Sequence, residues 1–100
     1  MKTTIQEQGQ EVIVYFEGRL DTEAADKAEQ ELKPVFTKMG CDIILDCNQL
    51  EYIASKGLRL FLKICKTSTA NGCHPYLRGL STTVHDVFVV TGFINFFEFK

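Results

Sequence analysis

The apolar positions of this chain change period several times along its length, and each change predicts an element. Val12, Val14 and Phe16 alternate with Ile13, Tyr15 and Glu17, so Glu11 to Glu17 reads as a strand. Thr3 to Gln8 reads as a shorter strand, with Gln8-Gly9-Gln10 as the turn of a hairpin. The second strand is apolar on both sides over Val12 to Phe16, which suits an internal position better than an edge. After Gly18-Arg19-Leu20 the period becomes helical: Ala24, Ala28, Leu32 and Val35 recur at spacings of three and four, behind Asp21 as N-cap. Pro34 removes a backbone donor and crowds the turn before it, which predicts a kink or break near Lys33.

Asp42 to Cys47 is the most continuous aliphatic run and predicts a central strand. The stretch beyond Ser55 carries Leu58, Phe61, Leu62, Cys65 and Thr69 on one helical face, with Leu60 and Ile64 on a neighbouring one. That pattern places Ser55 at a strand-to-helix junction, as the capping residue of helix two. Asn71-Gly72 ends the helix, Pro75 to Leu80 forms a short strand, and Ser81 caps a third helix through Val84, Val87, Phe88 and Thr91. Phe93, Ile94, Phe96, Phe97 and Phe99 read as core-sealing residues in a last strand or extended cover, with an exposed partner-binding patch as the alternative. The order implies one α/β domain over residues 1–100, a mixed sheet of four to five strands with helices packed against it.

Composition narrows the function. The net charge is −2 and the basic residues are scattered, which gives no electrostatic footprint for nucleic acid. No apolar stretch approaches a membrane span and no signal-peptide core stands at Met1 to Gln6, so the expected location is cytoplasmic. Cys41, Cys47, Cys65 and Cys73 contain no C-x-x-C pair and read as reduced, structural thiols; a zinc site with His74 or His85 lacks local ligand spacing. Asp42 and Asp46 share a strand face, where terminal solvated carboxylates are the expected reading rather than a general acid/base pair. His85 reads as a surface or boundary residue. No phosphate-cradling glycine loop and no G-x-S-x-G context are present, so no metal, cofactor or catalytic residue is expected and the chain reads as a binding protein rather than an enzyme.

Gly18-Arg19-Leu20-Asp21, Ile43-Ile44-Leu45-Asp46, Tyr52-Ile53-Ala54-Ser55-Lys56-Gly57-Leu58, Gly79-Leu80-Ser81 and Thr91-Gly92-Phe93 stand in the order and spacing of a known pattern. In these segments the chain resembles the STAS family, the anti-sigma factor antagonist domains, over nearly its whole length. The resemblance implies that Ser55 corresponds to the family's phosphoacceptor serine, and that Gly57 and Leu58 match the glycine and leucine after it. Ala54 stands where the family usually has aspartate, and Lys56 where it often has a second serine. The resemblance further implies a partner, an anti-sigma factor with serine kinase activity, which binds the unmodified protein and is released by phosphate on the serine. The expected partner-binding surface is Asp21, Ala54, Ser55, Lys56, Gly57, Leu58 and Arg59, on a chain expected to be monomeric when free.

Two other readings stay open at this point. Ala54 and Lys56 erode the phosphorylation motif while leaving the fold pattern whole, which is compatible with a constitutive STAS subunit docked on the ATPase of a lipid-trafficking ABC transporter. A ligand site formed where the Asp21 loop and the Ser55 turn converge at one sheet end is the third.

Overall fold

Strand alternation and helix capping act on this chain much as its pattern predicts, and the computed structural model describes all residues, 1–100. The strands are β1 (Lys2–Gln8), β2 (Glu11–Leu20), β3 (Asp42–Ile53), β4 (His74–Arg78) and β5 (Glu98–Phe99); the helices are α1 (Thr22–Glu31), α2 (Ser55–Ala70) and α3 (Thr82–Thr91). One five-stranded sheet has the order β1-β2-β3-β4-β5. β1 and β2 form the antiparallel hairpin, and every later pair is parallel.

All three helices contribute to one hydrophobic cluster with the inward residues of the sheet: Val12, Val14 and Phe16 from β2, Ile43, Leu45 and Cys47 from β3, Leu77 from β4. The fold is therefore two layers, with the helices on one face of the sheet. Ile13 and Ile44 are buried on the opposite face, outside that cluster.

The break near Lys33 is present. α1 ends at Glu31 and a 3-10 segment, Lys33–Thr37, follows with Pro34 in its first turn. Three expectations are corrected. β3 runs six residues beyond Cys47, because its pairing with β2 shifts register twice, after Tyr15 and after Gly18. Each shift gives β3 one extra residue, so inward positions fall at Cys47, Leu50 and Ile53, a spacing of three that hides the strand period. On α2 the buried position is Ser68, and Thr69 is exposed. In the tail only Phe97 is buried, at 7 % exposure; Phe93 and Ile94 are half-buried, while Phe96 and Phe99 are exposed.

Asp46 is the fourth correction. It lies in mid-strand at 6 % exposure rather than in solvent. Its carboxylate accepts from Arg78 Nε at 2.8 Å and from the Asn48 amide at 3.0 Å, and Arg78 lies across the sheet in register with it. Burial alone would raise this carboxyl's pKa. The donors from Asn48 and Arg78 outweigh it and hold the group below the ordinary 3.8.

Candidate functional site

The parallel pairing of β2 with β3 brings two helix starts together. Leu20 pairs with Ile53, and the Ala54 amide donates to the Leu20 carbonyl at 2.9 Å, so α1 and α2 leave the sheet side by side at the same end. Asp21 caps α1, its carboxylate accepting from the Ala24 amide at 2.9 Å. Ser81 caps α3 in the same way, accepting from the Val84 amide at 3.2 Å.

Helix α2 begins differently, and the capping role expected of Ser55 is not what the structure shows. Ala54 occupies the N-cap position, with extended backbone (φ −88°, ψ 170°), and Ser55 is the first helical residue. The reason is that the Ala54 amide is still tied to β2, which carries the extended conformation one residue past Ile53, while its carbonyl already accepts from the Leu58 amide at 3.0 Å. A methyl group cannot cap, so the amides of Ser55, Lys56 and Gly57 have no acceptor from the chain. They carry the positive end of the dipole of a 16-residue helix.

Around this turn the expected site residues separate into two groups. Asp21, Ser55, Lys56 and Arg59 are exposed and Ala54 is half-buried. Gly57 and Leu58 are buried beneath them. A β-carbon on Gly57 would stand 2.9 Å from Leu20 Cγ and Ile53 Cγ1, so the missing side chain is what lets α2 start this close to the strands. Lys56 forms an ion pair with Asp26 of α1, and Lys63 with Glu29 at 3.2 Å, joining the two helices along their length. Arg59 forms no ion pair. The Arg19 guanidinium stacks over the Tyr52 ring at 4.3 Å, on the strand residues just before the turn.

Sequence reasoning did not find the Arg19–Tyr52 or Lys56–Asp26 contacts. Both depend on β2 and β3 register and on the packing of two helices, which no local spacing reports. A shallow open depression of about 560 Å³ touches Gly18, Arg19, Asp21, Glu23, Ala24 and Lys27 but does not reach Ser55, so the two loops do not enclose a common ligand cavity. Ser55 Oγ forms no hydrogen bond within the chain, and no histidine or carboxylate is bonded to it. The hydroxyl is accessible and is not activated by a neighbouring base.

A strand-turn-helix with this geometry, on a β-hairpin followed by parallel crossovers, defines a class of small α/β domain. The family model described as STAS domain matches residues 2–100, and the chain belongs to the STAS family. It is 30 % identical over 97 residues to BtrV of Bordetella bronchiseptica, a candidate anti-sigma factor antagonist, covering 97 % of this chain and 84 % of that one. The fold is shared with a candidate anti-sigma factor antagonist of Thermotoga maritima, at TM-score 0.87 and 18 % identity over 97 % of this chain and 84 % of that one. It is also shared with the Bacillus cell fate determinant SpoIIAA in its phosphorylated form, at TM-score 0.74 and 20 % identity over 99 % and 91 % of the two chains. No helix is long and apolar enough to cross a membrane.

Proposed function

We propose that this chain is an anti-sigma factor antagonist: it binds an anti-sigma factor with serine kinase activity through the start of α2, and phosphate on Ser55 releases that partner. The observation that carries the reading is the exposed Ser55 hydroxyl in the first turn of an uncapped helix, with three free amides around it. A phosphate there adds about −1.5 to −2 charges at a place where helix dipole and amides favour an anion. The same charge on a contact surface must be desolvated or repelled, which breaks the complex. Asp21, Ala54, Lys56 and Arg59 surround Ser55 as the contact surface, and Gly57 and Leu58 hold the turn from beneath. The partner supplies ATP and the transfer chemistry; this chain acts as a monomeric, non-enzymatic cytoplasmic component.

The experiment is incubation with a serine-kinase anti-sigma factor and ATP, followed by phosphosite mapping and binding measurements. Phosphate should appear on Ser55 and vanish in Ser55→Ala, and Ser55→Asp should weaken the complex at least tenfold, about 1.4 kcal/mol. An unmodified Ser55, with Ser55→Asp binding as tightly as the parent, overturns the switch. The pairing of Lys56 with Asp26, which occupies the cation that follows Ser55 in sequence, is the observation on the other side. It favours a constitutive assembly subunit, and co-purification of a transporter ATPase with an unphosphorylated chain would establish that reading instead.

A further inference from the structure

We propose that Cys41 and Cys73 are a redox-responsive dithiol that closes to a disulfide by exchange with a low-molecular-weight disulfide such as oxidised glutathione. The two residues stand 32 positions apart in sequence, yet their sulfurs are 3.3 Å apart. The cause is sheet register. Asp42 pairs with His74, and the His74 amide donates to the Cys41 carbonyl at 3.0 Å, so Cys41 and Cys73 immediately precede neighbouring parallel strands. Both side chains point to the helix side: Cys73 belongs to the core cluster and Cys41 packs against it. Neighbouring strands lie about 4.8 Å apart, inside the ~4.4–6.8 Å separation of α-carbons that a disulfide spans. Closure therefore needs side-chain rotation and little backbone movement.

The surroundings give the pair an order of reaction. Cys41 is half-buried and Cys73 is 3 % exposed, so an external disulfide reaches Cys41 first. The Cys41 thiolate attacks it, its S–S bond breaks, and one small thiolate leaves and takes up a proton. The Cys73 sulfur, on losing its proton, attacks the Cys41 sulfur of the mixed disulfide and releases the second small thiol. Two protein thiols are oxidised and one external disulfide is reduced to two thiols. The Cys41 amide donates to the Cys73 sulfur at 3.4 Å, which holds that resolving sulfur beside Cys41. Burial, and then the contact with Cys73, push the Cys41 thiol up to about 11, so the attacking thiolate is scarce at neutral pH. Cys47 and Cys65 are buried and make no sulfur–sulfur contact.

The test treats the reduced full chain with oxidised glutathione and maps disulfides by mass spectrometry after digestion without reductant. The expected product is one intramolecular Cys41–Cys73 link, reversed by dithiothreitol, forming about tenfold faster for each pH unit between ~7 and ~9. In Cys73→Ser, which lacks the resolving thiol, a stable glutathione adduct should remain on Cys41; in Cys41→Ser, Cys73 should stay unmodified. A persistent adduct on Cys41 of the unsubstituted protein, or links through Cys47 or Cys65, would overturn the proposal. So would links between chains.

Discussion

At the scale of single residues, two positions report how tightly the site is built into the core. Gly57→Ala sets two effects against each other. Replacing glycine in a helix gains up to ~1 kcal/mol from backbone propensity, while forcing a methyl group into packed side chains costs about 1–3 kcal/mol. The methyl would meet Leu20 and Ile53 at 2.9 Å, and both are buried without room to retreat, so the cost wins. We expect a net loss of about 1 kcal/mol, read as a fall in Tm of roughly 4–8 °C; an unchanged or higher Tm would show that the turn relaxes. Asp46 gives a pH signature. Its folded pKa is depressed, so its contribution is fully present above the unfolded carboxylate value and is lost as the pH falls through the folded one. Asp46→Asn should cost about 1.5–3 kcal/mol at neutral pH, and the stability gap between variant and parent should shrink as the pH falls below 3.8. Urea unfolding at several pH values measures both; a gap that widens in acid would contradict the assignment.

At the scale of elements, the sequence reports the helices better than their first residues. Asp21 and Ser81 are legible as caps because each stands three residues before the first apolar position of its helix, Ala24 and Val84, and accepts from that residue's amide as capping chemistry requires. Ser55 reads as the cap although it stands one position inside the helix, since a serine before an apolar helical pattern has the composition of a cap, whereas the true boundary depends on β3 holding its pairing through Ala54. The same long-range pairing concealed the second half of β3, where two extra residues break the alternation. The uncapped start of α2 has a measurable consequence. Ala54→Asp supplies a side-chain acceptor in a backbone conformation that already suits a cap, and should stabilise the protein by about 0.5–2 kcal/mol. Asp21→Ala and Ser81→Ala should lose similar amounts. Denaturant midpoints test this, and an Ala54→Asp variant no more stable than the parent would mean that the first-turn amides are satisfied in another way.

At the scale of the whole molecule, alternation and turn chemistry made the α/β class and the element order readable, but not what the sheet brings together. Cys41 with Cys73 and Asp46 with Arg78 meet only because β3 and β4 pair in one particular register. The aromatic tail shows the same limit. Its five apolar residues look equivalent in sequence, whereas in the fold one of them completes a ladder of rings: Phe16 lies 4.8 Å from Phe61, Phe61 5.7 Å from Phe88, and Phe88 6.1 Å from Phe97. That ladder runs from β2 through α2 and α3 to the segment leading into β5, so the Phe97 ring holds the last strand together with its two-residue pairing and the Lys100 amide bond to the Leu77 carbonyl. Phe97→Ala should therefore cost about 3 kcal/mol, the low end for a buried phenylalanine because its ring lies at the edge of the cluster. Phe99→Ala and Phe96→Ala, on exposed rings, should change stability by less than about 0.5 kcal/mol. Urea midpoints at constant m-value separate these outcomes; comparable losses at Phe97 and Phe99 would show that the tail seals the core along its whole length, not through one ring.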